Sequence, residues 1–116
     1  MTGRRLREPG LWLLFSAGGT LAALFLPALV MVLWVAPAVG WLTPPAHETL
    51  AALAGGVVGR LFLTALIVLA LYHWAHRFRY TLYDGLQLYH LNRLIAVLTY
   101  GVATVLSLAA AVVLWR

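Results

Sequence analysis

Three long apolar segments divide the chain. The first runs from Leu11 to Val39 and the third from Leu94 to Trp115, and neither contains a charged residue. The middle segment is uncharged from Leu61 to His76 and is flanked by Arg60 and Arg77, whose long side chains can reach the membrane surface. At about 1.5 Å per residue, such helices can cross a hydrocarbon core of roughly 30 Å. The pattern predicts an all-α membrane protein, one domain over residues 1–116, with transmembrane helices at about 11–39, 58–80 and 94–115.

Prolines and charges mark the connections between these segments. Pro44 and Pro45 are a natural end for the first segment, so we expect the second helix to begin near Glu48. The first loop, at about residues 40–50, contains no lysine or arginine. The N-terminal arm and the second loop carry the arginines at positions 4, 5 and 7 and at positions 77, 79 and 93. The positive-inside rule therefore predicts a cytoplasmic N-terminus and a periplasmic or extracellular C-terminus.

Composition supports lipid as the surrounding solvent. Hydrophobic residues make up 64% of the chain and charged residues 9%, whereas a typical soluble domain is about 45–50% apolar. A soluble domain of 116 residues could not bury that much apolar surface. The net charge of +5 comes from arginine alone, and because the arginines adjoin apolar runs we expect them to bind anionic lipid headgroups rather than nucleic acid. The absence of cysteine excludes disulfides, thiol catalysis and iron–sulfur ligation by this chain.

A polar cluster closes the second apolar segment, in the stretch LALYHWAHRFRYTLYDG from Leu69 to Gly85. At about 100° per residue, five of its polar side chains share one helical face, in an arc of about 100°. They are His73, His76, Arg77, Tyr80 and Asp84. One interpretation is interfacial anchoring, which accounts for Trp74, Tyr83, Tyr89 and Arg79. The other is a site for an amphipathic ligand such as a quinone, because its ring needs hydrogen-bond donors, its tail needs lipid, and its redox chemistry moves protons.

Trp12 opens the first segment at the membrane depth of His76 under the predicted topology. Its indole N–H can only donate, so it could anchor the helix at the interface or bind a quinone oxygen. The chain has three carboxylates, Glu8, Glu48 and Asp84, and carries no phosphate-binding loop or Ser–His–Asp pattern. We therefore expect no catalytic residue and no metal site on this chain.

Two motifs resemble a known family. EPGLWLLFSAGG, from Glu8 to Gly19, is similar to the opening of the D-subunit, a membrane anchor of bacterial quinol:fumarate reductase. GRLFLTALIVLALYHWAHR, from Gly59 to Arg77, resembles the second span of that anchor, and Asp84 follows at the family's spacing. The third span is similar only in being apolar. The resemblance covers most of the chain.

The resemblance implies a role and a set of partners. A flavoprotein subunit would reduce fumarate, an iron–sulfur subunit would carry electrons, and this chain with a second anchor, the C-subunit, would hold them at the bacterial cytoplasmic (inner) membrane in anaerobic fumarate respiration. Flavin and iron–sulfur clusters would lie on the partner subunits. The anchor would help to bind menaquinol, and the implied quinone-binding residues are Trp12, His76, Arg77 and Tyr80. Tyr80 stands where the family has a second histidine, and its hydroxyl can still donate a hydrogen bond but cannot be a cation at neutral pH.

Haem and two other functions remain alternatives. His73 precedes Asp84 by the spacing of the haem-ligating histidine in the related D anchor of succinate dehydrogenase, but Gly85 replaces the tyrosine that follows in that family. We therefore expect no haem b. The alternatives to a fumarate reductase anchor are a succinate dehydrogenase anchor and a helical membrane scaffold without a redox role.

Overall fold

The computed structural model describes the backbone of residues 2–116 and the side chains of residues 10–116. The first long helix comprises Thr2–Val30, a π-helical turn at Met31–Val35 and a last turn at Ala36–Ala38. A short helix, His47–Gly55, precedes the second long helix, Val57–Leu86. A 3₁₀ turn, Tyr89–Leu91, leads into the third long helix, Asn92–Trp115.

Three of these stretches are long and apolar enough to cross a membrane, namely Gly10–Ala38, Val57–Leu86 and Tyr89–Trp115. The predicted all-α architecture with three transmembrane helices is therefore confirmed. The second long helix packs against both of the others, and those two touch each other much less. Most large apolar side chains are exposed, as expected for a thin bundle whose outer surface faces lipid.

The first long helix ends in a wide turn and a glycine cap. Pro37 has no N–H, and just before it the Ala36 N–H bonds to the carbonyl of Met31, five residues back. Beyond it, the Gly40 N–H donates to the Pro37 carbonyl (3.1 Å) and the Trp41 N–H to the Ala36 carbonyl (2.9 Å). Gly40 has a φ of +77°, so these bonds form a Schellman cap, which only glycine adopts without strain.

The second helix does not run continuously from Glu48, and that expectation is wrong. The short helix ends at Gly55, and Gly56 takes an extended conformation (φ −70°, ψ 158°) before the second long helix begins. The two helices then meet so closely that a Cβ on Gly59 would overlap the carbonyl of Leu53. Glycine at position 59 thus permits the bend, and the stretch long and apolar enough to cross a membrane begins at Val57.

The second and third long helices form an antiparallel hairpin. Gln87, in the left-handed conformation (φ 54°), ends the second helix. Side chains on the two helices then pair along their length: Tyr72 Oη lies 2.6 Å from Thr104 Oγ1, and Trp115 Nε1 donates to Thr64 Oγ1 (2.9 Å). The third helix buries a stripe with a spacing of four residues, made of Ile95, Thr99, Ala103 and Ser107. Small side chains at most of these positions let the two helices approach closely.

Candidate functional site

A cavity of about 620 Å³ lies between the first and second long helices, and the third contributes one residue to it. Its walls are mostly aliphatic and aromatic, and a few polar side chains interrupt them. The lining residues are Leu11, Trp12, Leu14, Phe15, Val68, Leu69, Tyr72, His73, His76, Tyr80 and Tyr100. We call this space the histidine cavity. A mostly apolar cleft with a few convergent polar groups has the general character of a small-molecule site.

A pair of glycines brings the first helix against the second beside this cavity. Gly18 is buried, and a Cβ built on it would lie 2.5 Å from the carbonyl oxygen of Leu69. A Cβ on Gly19 would lie 2.5 Å from Cε1 of His73. Because neither glycine has a side chain, the His73 ring approaches the first helix until its Nδ1 is 3.0 Å from the carbonyl oxygen of Phe15. The Gly-Gly pair in the first motif is thus the contact that positions His73.

Aromatic rings enclose the two histidines. Phe15 stacks on the His73 ring, with centroids 4.3 Å apart and an interplanar angle of 19°. Phe15 also meets the ring of His76 at 4.6 Å, and Trp12 approaches that ring edge-to-face at 6.2 Å. Tyr80 also packs against the His76 ring, at 4.8 Å between centroids. Residues far apart in the sequence therefore form one continuous aromatic wall.

His76 is held from the third helix as well. Its Nδ1 lies 3.0 Å from the hydroxyl oxygen of Tyr100. Since Nδ1 is engaged with the tyrosine, Nε2 is the ring nitrogen left to meet a ligand. His76 thus contacts aromatic side chains of both neighbouring helices.

The structure brings together three of the four residues expected to bind a quinone, because Trp12, His76 and Tyr80 all line the cavity. Arg77 is exposed and is not among the lining residues. His73, the residue weighed as a haem ligand, does line it. Asp84 lies at the end of the helix, where its carboxylate accepts a hydrogen bond from the Tyr89 hydroxyl (3.1 Å).

Arg79 packs against two tyrosines that line the cavity, although the sequence pattern assigned it to interfacial anchoring. Its guanidinium carbon lies 5.5 Å from the ring centre of Tyr80 and 5.7 Å from that of Tyr100. The guanidinium donates to the Tyr83 hydroxyl (2.7 Å) and to the side-chain oxygen of Asn92 (3.1 Å). The single O–H of Tyr83 in turn has two acceptors within reach on Asn92, the backbone carbonyl (3.0 Å) and the side-chain oxygen. This network ties the two helices together at the loop end of the hairpin and places a fixed positive charge next to the cavity wall.

Sequence reasoning missed Phe15, Tyr72 and Tyr100. Phe15 lies three residues after Trp12, a spacing that places both on one helical face. Tyr100 is the only ring hydroxyl within the third apolar segment, and antiparallel pairing of the second and third helices would have placed it opposite His76. The position of Tyr100 beside the cavity could therefore be predicted only once the antiparallel pairing of the second and third helices was known.

The polar groups of the cavity fit an amphipathic ligand better than a metal ion. Among the residues that the structure describes, no group of three or more His, Asp or Glu side chains could hold a metal ion. The cavity instead combines ring N–H and O–H groups with apolar walls. Such a lining suits a flat ring bearing oxygens at one end and a hydrocarbon tail at the other.

Comparison with known sequences identifies the family. The sequence model of the fumarate reductase D-subunit matches residues 2–115. The chain belongs to the fumarate reductase D-subunit family. It is 47% identical over 107 residues to the fumarate reductase D-subunit of Mycobacterium bovis (strain BCG / Pasteur 1173P2), covering 92% of this chain and 86% of the relative. The corresponding protein of Mycobacterium tuberculosis (strain ATCC 25618 / H37Rv) gives the same values.

A more distant relative extends the match beyond mycobacteria. The fumarate reductase D-subunit of Vibrio cholerae serotype O1 (strain M66-2) is 32% identical over 111 residues, covering 94% of this chain and 84% of the relative. No solved structure matches the chain. The expectation of a fumarate reductase membrane anchor is therefore confirmed at the level of the family, and the three membrane-spanning helices agree with a multi-pass protein of the bacterial inner membrane.

Proposed function

We propose that this fumarate reductase anchor binds menaquinol in the histidine cavity and helps to oxidise it. The observation that carries the proposal is the convergence of Trp12, His76 and Tyr80 on one largely apolar cavity of about 620 Å³. The iron–sulfur subunit, the flavoprotein subunit and a second anchor, the C-subunit, are the proposed partners. The flavin and the iron–sulfur clusters would reside on those partners, and this chain would hold no haem.

Each side chain has a role that follows from its chemistry. A bound menaquinol would supply two electrons and two protons. Trp12 would donate its indole N–H to a ring oxygen, since that group can only donate. His76 would offer Nε2, because Nδ1 is held by Tyr100, and Tyr80 would place a hydroxyl beside it. The apolar walls would receive the start of the isoprenoid tail.

The two arginines would act at different distances. Arg79, fixed by Tyr83 and Asn92, would maintain a positive potential at the cavity wall. Arg77 is exposed, and we propose that it faces acidic groups of the iron–sulfur subunit rather than the ligand. Positive charge beside the site would favour electron-rich ring oxygens over neutral apolar competitors.

The proposed orientation places the cavity near the cytoplasmic surface. The arginines at positions 77, 79 and 93 belong to the end of the bundle where the cavity lies, and the N-terminal arm carries three more. The positive-inside rule assigns that end to the cytoplasm. Electrons from the cavity would then have a short path to subunits docked on the cytoplasmic face.

The test uses the whole complex with His76→Asn or Trp12→Phe in this chain. We expect fumarate reduction driven by menaquinol to fall about tenfold or more, because each change removes a polar contact at the cavity. Fumarate reduction driven by a soluble reduced dye, which bypasses the quinol site, should stay at the wild-type level. His47→Asn, which alters an exposed histidine at the start of the short helix, is the matched control and should change neither rate. Wild-type menaquinol turnover in both cavity variants would refute the proposed site.

A further inference from the structure

His73 has no role in the proposed function, yet its hydrogen bond determines which ring nitrogen must carry a proton. Its Nδ1 lies 3.0 Å from the backbone carbonyl oxygen of Phe15. A carbonyl oxygen can only accept a hydrogen bond, so Nδ1 must carry the proton. In the neutral ring, Nε2 is then a lone-pair acceptor.

The acceptor nitrogen is available to a ligand. His73 lines the cavity, and its Nε2 makes no hydrogen bond with the groups described in residues 10–116. Nε of Arg60 and Oγ of Ser107 are buried without a hydrogen-bond partner among the described residues, but Nε2 of His73 is not one of these buried atoms. Within the part of the chain that the structure describes, the nitrogen is therefore unpaired and accessible. With the His73 ring in its neutral form, the cavity therefore pairs an obligate donor, the Trp12 indole, with an acceptor at Nε2 of His73.

We propose that His73 accepts a proton from a quinol hydroxyl through Nε2, an inference that rests on the proposed function. In this step the hydroxyl O–H bond breaks, an N–H bond forms at Nε2, and the bonding electron pair stays on the oxygen. The electrons removed in the oxidation leave to the iron–sulfur subunit. The ring becomes a cation with a proton on each nitrogen, and its Nδ1–H bond to Phe15 is retained.

The surroundings of the ring suit that change of charge. The Phe15 side chain stacks on the imidazole at 4.3 Å, and an aromatic face attracts a cation. The packing of Gly19 against the ring and the bond to the Phe15 carbonyl hold the ring in one orientation before and after it takes up the proton. Because neutral Nε2 pairs with O–H and not with C=O, the same geometry favours the hydroxyl-bearing form of the ligand over the oxidised form.

The experiment compares His73→Asn and His73→Gln in the whole complex. Asparagine can still donate an N–H to the Phe15 carbonyl but has no atom at the Nε2 position. Glutamine can place an acceptor oxygen near that position but cannot take up the proton. In both variants we expect kcat for menaquinol oxidation to fall on the order of a hundredfold, with a much smaller change in KM. Fumarate reduction by the soluble dye should be unchanged, and co-purification of the variant chain with the flavoprotein and iron–sulfur subunits shows that the complex is assembled.

The outcomes separate this inference from the proposed function. If His76→Asn and Trp12→Phe lose menaquinol turnover while either assembled His73 variant retains it to within about twofold, His73 is not the proton acceptor and the cavity assignment stands. If all four variants retain turnover, both proposals fall. A reduced-minus-oxidised spectrum with a b-type haem band that vanishes in His73→Asn would also overturn the inference, because Nε2 would then be an iron ligand.

Discussion

Replacing Gly18 by alanine should separate the first two helices and disable the cavity without touching a polar side chain. A Cβ at this position would lie 2.5 Å from the carbonyl oxygen of Leu69, 3.1 Å from its carbonyl carbon and 3.4 Å from Cβ of His73. Ordinary contact between such atoms needs about 3.4 Å or more, so the helices must move apart locally by about 1 Å. The obstacle is backbone, which cannot rotate away as a side chain would.

The magnitude follows from that displacement. Overpacking a tight contact costs about 1–3 kcal/mol. A shift of about 1 Å would also stretch the 3.0 Å bond between His73 and the Phe15 carbonyl beyond hydrogen-bonding range. We therefore expect Gly18→Ala to lower both the heat resistance of the complex and its menaquinol turnover, while fumarate reduction by the soluble dye is preserved below the denaturation temperature.

The assay heats the purified complex in lipid nanodiscs and follows the fraction that stays intact, alongside the two rates of fumarate reduction. Gly10→Ala and Gly101→Ala are the matched controls, because a Cβ at either position would meet nothing within 4 Å. We expect both controls to behave as wild type or to be slightly more stable, since alanine is the better helix former. If Gly18→Ala did not differ from these controls in stability or in menaquinol turnover, the first two helices would not be in the contact described.

Three further predictions concern other parts of the chain. Tyr83→Phe removes the hydroxyl that donates to Asn92 and should cost about 1–3 kcal/mol, seen as earlier loss of the intact complex on heating; an unchanged profile would contradict a structural role for that bond. Gly59→Ala should disturb the junction with the short helix, whose carbonyl occupies the space, and raise proteolysis in the first loop; a wild-type cleavage pattern would argue against the bend. Because the chain contains no cysteine, single variants His47→Cys and Gly85→Cys test the topology cleanly. A membrane-impermeant maleimide added to intact cells should label the first and not the second, and the reverse result would invert the proposed orientation.

The helices and most of the polar residues of the site could be predicted from the sequence alone. Segment length and apolar composition are local properties, so three membrane-crossing helices were predictable without knowing how they pack. The clustering of His73, His76 and Tyr80 on one face was predictable for the same reason, because the angle between residues of one helix is fixed. The break at Gly56 was not, since it depends on the contact between Gly59 and the short helix.

Which of those polar residues share a cavity depends on how the helices pack. His76 lines the cavity, and Arg77, the next residue, points about 100° away from His76 around the helix axis. Arg79 is turned toward the third helix, where it packs on Tyr100. That direction depends on which faces of the second helix meet its neighbours. The first long helix is positioned by its close approach to the second at Gly18. The third long helix is positioned by the hairpin, which places Tyr100 beside His76. Contacts between helices are pairwise and distant in sequence, so no periodicity within a single helix could have determined them.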